Sequence, residues 1–322
     1  MLAIQVDETG GPEVLQAVEL SDPEPAPGRL VVEVEAAGLN FIDVYQRSGL
    51  YPMELPFVPG LEGAGHIQAI GEGVTGVEVG DVVAWADSPG SYAGMISLPA
   101  ERAVPVPAEI EPSTAAAVML QGLTAHYLAT STFPLQAGHR CLIHAGAGGV
   151  GRLLIQIAKR VGAVVFTTVG SAEKEQVAAA AGADHVINYR EVPFAEAITA
   201  IAGERPLDVV YDGVGASTFE GGLSLLKTRG MMVTFGNASG PVPPVSPLTL
   251  MRNGSIFLTR PTLGDHVATT TELRDRSREL FEWIADGSLE VLVGETYPLA
   301  ETNEAHRALE GRVTVGKVLI VP

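Results

Sequence analysis

From residue 140 onward the chain repeats one unit. Apolar segments centred on Ile143, Val165, Ile187, Val210, Val233 and Phe257 recur every 22 to 24 residues. Helical patterns fill most of the gaps, at 150–160, 171–181, 193–201 and 217–226, whereas the stretch before Phe257 is Pro-rich (Pro241-Val-Pro-Pro244). Strands apolar on both faces that alternate with helices belong in a parallel sheet covered on both sides. Six of them predict an α/β fold, the doubly wound parallel sheet of the Rossmann type.

The first strand–helix junction carries the chemistry. Cys141-Leu-Ile-His-Ala145 runs into Gly146-Ala-Gly148-Gly-Val-Gly151 and then into an apolar helical pattern. G-x-G-x-x-G at this place supplies a tight turn, a backbone bare enough to approach a pyrophosphate, and a close helix–strand crossing. The N–H groups at the start of the helix are free to meet the phosphates. A carboxylate at the tip of the second strand would select NAD by holding the ribose 2′-hydroxyl. Here that strand ends in Val169-Gly170-Ser171, with Lys174 one turn further on and Tyr189-Arg190 after the third strand. Hydroxyl, ammonium and guanidinium groups suit a 2′-phosphate, so the expected cofactor is NADPH.

The first part of the chain, to about residue 122, reads differently. Short apolar runs near 31–35, 65–70, 81–85 and 103–106 are separated by Gly and Pro, as in an antiparallel sheet or small barrel. The tail holds a helical pattern at 271–286, an apolar run at 289–293, a helix near 303–309 and a closing strand at 317–321. That is too little for a third domain and is expected to pack back on the first part. The expected domains are therefore 1–123 with 264–322, interrupted by a cofactor domain at 124–263.

Composition closes off several functions. Thirty-eight acidic residues against 20 basic ones leave −18, the wrong sign for a sequence-independent grip on nucleic acid or an anionic membrane. No apolar run approaches the roughly 18 residues of a membrane span, and the first residues show no export signal, so a soluble cytoplasmic protein is expected. The single cysteine, Cys141, excludes a disulfide framework and a thiolate-built zinc site. His-Glu-x-x-His and Gly-x-Ser-x-Gly are absent, so metalloprotease and hydrolase chemistry have no footing.

The segment Asn40-Phe-Ile-Asp43-Val-Tyr45-Gln-Arg-Ser-Gly-Leu-Tyr51-Pro resembles a signature of NADPH:quinone oxidoreductases. These are the zeta-crystallin-like, zinc-free branch of the medium-chain dehydrogenase/reductase superfamily. Pro59-Gly-Leu-Glu-Gly-Ala-Gly65, Gly122-Leu-Thr124, the 145–151 loop, Ile187-Asn-Tyr-Arg190, Val209-Val-Tyr-Asp212, Phe235-Gly-Asn-Ala-Ser-Gly240, Thr259-Arg-Pro261, Ala305-His306 and Leu309-Glu310 also match, in the family's order. The resemblance implies a GroES-like catalytic domain joined to a Rossmann domain, NADPH and a quinone in the interdomain cleft, no metal, and a homodimer. In zinc-dependent relatives the first zinc-ligand cysteine falls near Asn40.

Carried over by position, Asn40, Phe41, Ile42, Asp43, Val44, Tyr45, Thr124, Gly149 and Val150 are implied at the nicotinamide and pyrophosphate, with Gly146, Gly148 and Gly151 in the loop. Gly170, Ser171, Lys174 and Tyr189 are implied at the 2′-phosphate, and Val214, Phe235, Gly236, Asn237, Thr259 and Arg260 in the remaining cofactor walls. Tyr45 and Tyr51 would face the acceptor with a ring and a hydroxyl. Two positions depart from the family: Gly146 stands where relatives often carry alanine, and His126 where tyrosine is common.

Dimerisation is expected through the apolar edge strand 255–259, which lacks charged guards. Two other readings share this fold and cofactor. One is a reductase of enones or alkenals; the other is a mainly NADPH-binding, crystallin-like or RNA-binding protein, against which the negative charge weighs. A zinc alcohol dehydrogenase would need ligands that this chain lacks.

Overall fold

The six apolar segments after residue 139 form one sheet. Its strands, Arg140–Ile143, Val164–Val169, His185–Asn188, Leu207–Asp212, Leu226–Thr234 and Phe257–Thr259, are called first to sixth in chain order. They lie side by side in the order third, second, first, fourth, fifth, sixth, and every pairing is parallel. This is the doubly wound order, with its reversal between the first and fourth strands. Helices Gly149–Arg160, Ala172–Ala180, Phe194–Ala202 and Phe219–Leu225 follow the first four strands. In the Pro-rich stretch a further short helix, Pro247–Arg252, starts on a proline in its first turn, with Ser246 Oγ accepting from the Leu248 N–H. Leu142, Phe166, Ile187, Val210 and Met232, one from each of the first five strands, share a core with Ile198 and Leu223 of the covering helices.

The computed structural model describes all 322 residues and divides them into two compact units. The sheet just described lies in Thr124–Asp265; Met1–Leu123 and His266–Pro322 make the other. That second unit is built on a seven-stranded sheet in which Arg29–Leu39 pairs antiparallel with Glu62–Ile70, Met95–Pro99 and Lys317–Val321. Glu62–Ile70 continues to Val82–Ala86 and Val104–Pro105, again antiparallel. Its core packs Val32, Val34, Ile67, Trp85, Tyr92 and Leu98 against Val318 and Ile320 of the tail.

The apolar run 289–293 lies mostly ahead of a strand, Val293–Pro298, which pairs parallel with Lys317–Val321. Leu289 is buried because it closes the turn after helix Thr270–Ala285, its N–H donating to the Trp283 carbonyl at 2.8 Å. The strand that follows is half exposed, so apolarity is a poor guide to it. No helix is long and apolar enough to cross a membrane.

Helix Thr302–Glu310 is tied to helix Phe41–Arg47 through the buried Arg47 and His306 and the outer Glu310. Arg47 forks onto Glu310 at 2.8 and 3.0 Å, a bidentate pairing that fixes both position and orientation. Its Nη1 also lies 3.4 Å from His306 Nδ1. Burial and the Arg47 charge push the His306 imidazole down to about 3. The unfolded chain binds this proton near pH 6.5 and the folded one does not, so stability is retained above pH 6.5 and lost as the pH falls from 6.5 toward 3. Between pH 7 and pH 5 this residue alone should remove about 2 kcal/mol of unfolding free energy. Urea unfolding of the wild type and of His306→Gln at both pH values checks this: the variant should lose markedly less on acidification.

Candidate functional site

In the Thr124–Asp265 unit the expected cofactor residues collect at the carboxyl ends of the parallel strands. The loop after the first strand turns at Ala145, whose φ of 57° is left-handed and rare for a residue with a side chain. Helix Gly149–Arg160 then starts on Gly148, which offers no side chain to its first N–H groups, so those at Gly149, Val150 and Gly151 point outward with no intrahelical acceptor. Gly151 is required by packing: a Cβ there would lie 2.3 Å from the Ala145 carbonyl oxygen. Glycine at 146 has its own local cause. A Cβ would come 2.1 Å from Thr167 Oγ1, whose hydroxyl is already committed to the Ile143 carbonyl at 2.6 Å.

The tips of the second and third strands meet beside this loop. Tyr189 lies across Gly170, where a Cβ would be 2.4 Å from the phenol oxygen. Ser171 caps the next helix by accepting from the Lys174 N–H at 3.3 Å, which places the Lys174 side chain on the first turn. Of the carboxylates near the tip, Glu175 and Glu191 both accept from Asn188 Nδ2, at 2.8 and 3.1 Å, and Glu173 lies beside Lys174 in the first helical turn. Thr124 is buried at the start of the unit.

The loops after the fourth and fifth strands are locked together. Asp212 is fully buried and accepts from the Val214 and Gly215 N–H groups at 2.8 and 3.0 Å and from the Thr218 hydroxyl at 2.9 Å. Across from it, the Phe235 N–H donates to the Asp212 carbonyl, and those of Ala238 and Ser239 donate to the carbonyls of Gly213 and Val214. Gly236 permits this approach, since a Cβ would lie 2.3 Å from the Gly213 carbonyl oxygen. Val214, Phe235, Gly236 and Asn237 thus form one rim. Thr259 ends the sixth strand, and the Arg260 guanidinium reaches back to the Gly236 carbonyl at 3.2 Å.

In the other unit, Asn40 precedes helix Phe41–Arg47, whose first turn is closed by Asp43 Oδ2 accepting the Asn40 N–H at 2.8 Å. Tyr92 donates to the same oxygen at 2.8 Å. Burial pushes the Asp43 carboxyl up to about 6 and the Tyr92 phenol well above its ordinary value. Phe41 and Tyr45 pack ring to ring at 6.1 Å, and Tyr51 meets Tyr45 edge-on at 5.2 Å, with its N–H on the Tyr45 carbonyl. Ile42 is half-buried and Val44 buried on this helix. The Asn40 carboxamide is occupied: Nδ2 donates to Glu62 and the Gly38 carbonyl, and Oδ1 accepts from Gln121 and Lys317.

Residues 26–108 match the alcohol dehydrogenase GroES-like domain and residues 149–286 the zinc-binding dehydrogenase family. Quinone oxidoreductase 1 of Escherichia coli is 45% identical over 99% of both chains. The crystal structure of Escherichia coli quinone oxidoreductase complexed with NADPH superposes with a TM-score of 0.98, at 44% identity and complete coverage of both chains. A 2-haloacrylate reductase from Burkholderia is 36% identical, over 100% of this chain and 99% of its own. The chain belongs to the quinone oxidoreductase family. That family lies within the medium-chain dehydrogenase/reductase superfamily, and its two-part organisation of GroES-like and Rossmann folds is the one found here.

A zinc ion, implied by one of the family descriptions, does not fit the side chains of this family member. Nowhere do three His, Cys, Asp or Glu side chains converge. Cys141 is buried in the first strand, its thiol pushed up to about 12 by burial, so it offers no thiolate. Sequence reading missed Asp212, Thr218, Thr167 and the group around Glu62 and Lys317. Asp212 ends an apolar strand just before a glycine, and Lys317 opens one, which were the available signals. Asp212→Ala strands three donors, at about 1–3 kcal/mol for a buried unpaired group. Amide exchange at Val214 and Gly215 should rise at least tenfold, while exchange in the strand Arg29–Leu39 stays unchanged.

Proposed function

We propose that this chain is an NADPH-dependent quinone reductase that works without a metal. The observation that carries the reading lies at the second-strand tip: beside the glycine-rich loop it presents Ser171 and Lys174, with Tyr189 across Gly170, and no carboxylate ends the strand itself. We propose Thr124–Asp265, expected at 124–263, as the NADPH-binding domain and the GroES-like unit as the catalytic one. The outward N–H groups of Gly149, Val150 and Gly151 would receive the pyrophosphate, a role that needs only backbone and the dipole of the helix start. The Lys174 ammonium, the Ser171 hydroxyl and the Tyr189 phenol would hold the 2′-phosphate. Val214, Phe235, Asn237 and Arg260 would wall the cofactor, with Thr124 and Phe41 to Tyr45 toward the nicotinamide.

NADPH, when bound, supplies reducing equivalents from C4 of its nicotinamide. The protein's own contribution is orientation. The edge-to-face pair of Tyr45 and Tyr51 offers a planar acceptor an aromatic wall bearing hydroxyls. No side chain needs to act as the acid, because a reduced quinone oxygen can take its proton from water. The Tyr92 hydroxyl and Asp43 Oδ2 are spent on each other and on the helix start, which suits a structural role.

The 2-haloacrylate reductase relative favours a second reading, reduction of an activated carbon–carbon double bond, in which a proton must be delivered to carbon and Tyr45 or Tyr51 would matter more. Cofactor oxidation by metal-free protein separates the two. Fast NADPH-selective turnover of benzoquinone and naphthoquinone, with little of an enone, supports quinone reduction; the opposite order supports the alternative. Lys174→Glu should weaken NADPH binding about tenfold or more and NADH binding far less, since only NADPH carries the extra phosphate. Equal losses would remove Lys174 from that site.

For assembly we propose a homodimer through the sixth strand, which is the sheet edge and carries Phe257 at 56% exposure, with Leu248 and Met251 exposed on the preceding helix. An unguarded apolar edge of this kind is protected by pairing. Light scattering should give twice the 33.6 kDa chain mass; a monomer overturns the proposal. The acidic balance argues against a nucleic-acid partner, and the single buried cysteine fits a cytoplasmic setting.

A further inference from the structure

Inside the GroES-like unit lies a charged group that the proposed reaction does not use. Lys317 is 1% exposed and Glu62 fully buried. The ammonium of Lys317 contacts Glu62 Oε1 and donates to Asn40 Oδ1 at 3.0 Å. Asn40 Nδ2 donates to Glu62 Oε1 at 2.7 Å and to the Gly38 carbonyl at 3.2 Å, while Gln121 Nε2 donates to Asn40 Oδ1 at 3.1 Å. The other Glu62 oxygen accepts the Leu120 N–H at 2.5 Å. Four parts of the chain therefore meet at one carboxamide: the strand ending at Leu39, the strand starting at Glu62, the helix carrying Leu120 and Gln121, and the closing strand.

The carboxamide has one workable orientation. Its NH₂ faces a carboxylate and its oxygen faces an ammonium, so a flip would oppose both, and each of its hydrogens and lone pairs is already engaged. The site is also cleared for the pair by backbone. A Cβ at Gly38 would lie 2.2 Å from Glu62 Oε1 and 2.5 Å from Lys317 Cε. Burying two charges is costly unless they meet each other and further partners, and here they do. The closing strand brings Lys317 to this place by pairing Val318 with Leu39 and Leu319 with Gly38.

We infer that Lys317 and Glu62 are positioning residues: through Asn40 they set the first turn of helix Phe41–Arg47, and with it the placement of Phe41, Tyr45 and Tyr51. Asn40 is the hinge of this arrangement, because its side chain is held by the pair while its N–H is held by Asp43. The closing strand, more than 250 residues away in sequence, thereby controls a segment that the first forty residues cannot fix alone. The catalytic consequence rests on the reading that residues 40–51 line the nicotinamide and acceptor.

Three variants test this: Lys317→Met, Glu62→Gln and the double variant, which removes both charges at nearly constant volume. Each is followed by amide exchange, thermal unfolding and steady-state oxidation of NADPH by benzoquinone. In folded Lys317→Met, exchange within 39–47 should rise at least tenfold with exchange in the parallel sheet unchanged. kcat should fall at least tenfold, while the affinity for adenosine 2′,5′-bisphosphate, which probes only the far end of the cofactor, stays within twofold. The double variant should recover most of both losses, as it no longer strands a charge. If Lys317→Met does not fold, Glu62→Gln carries the same readouts with an expected effect of about threefold or more. Unchanged exchange at 39–47, or a lower melting temperature with kcat per folded site unchanged, overturns the inference. Wild-type protein that does not oxidise NADPH overturns the proposed function instead, and exchange at 39–47 then decides the positioning alone.

Discussion

The close crossing of the first strand and its following helix governs the fold of the parallel-sheet unit. At Gly151 the helix passes so near the Ala145 carbonyl that any side chain would overlap it. That closeness lets the helix start immediately after the strand, with its unpartnered N–H groups directed out at the sheet's carboxyl edge. The reversal of strand order at the same edge opens the space those groups face. The loops after the fourth and fifth strands answer from the other side, held by Asp212 and by Gly236 lying against Gly213.

The GroES-like unit solves a different problem. It must hold a short helix, Phe41–Arg47, steady at the end of a strand although seven residues make too few internal bonds to be stable alone. The solution is long-range: Arg47 is gripped by Glu310, Asp43 by Tyr92, and Asn40 by Glu62 and Lys317. The grip on Asn40 places two charges and a carboxamide out of water and matches them with partners, as buried polar groups require. The tail of the chain is thus a structural part of this unit.

Much of the fold was legible beforehand because it follows from short-range rules. The parallel sheet announces itself by strands apolar on both faces at a regular spacing, and the close strand–helix crossing by the glycines at 146, 148 and 151. The reading of Gly170, Ser171, Lys174 and Tyr189 as neighbours follows from the same regularity, since adjacent strand tips must lie side by side. The tail was less legible. The strand Val293–Pro298 is largely exposed, whereas the apolar Leu289 ahead of it plugs a turn, so hydrophobicity alone did not mark the strand.

The amino-acid sequence by itself determined the doubly wound sheet, the glycine-rich turn after its first strand and the absence of a carboxylate at the end of the second strand, because each is a property of residues close together in the chain. Tertiary structure alone decided what surrounds Asn40 and Asp212. A polar residue at the end of an apolar strand can be seen locally at Asp212 and Lys317, but not that Glu62 partners Lys317 or that two loop N–H groups and Thr218 meet Asp212. Those relations arise when strands distant in sequence come into register and leave two charges, or a charge and its donors, in one dry space.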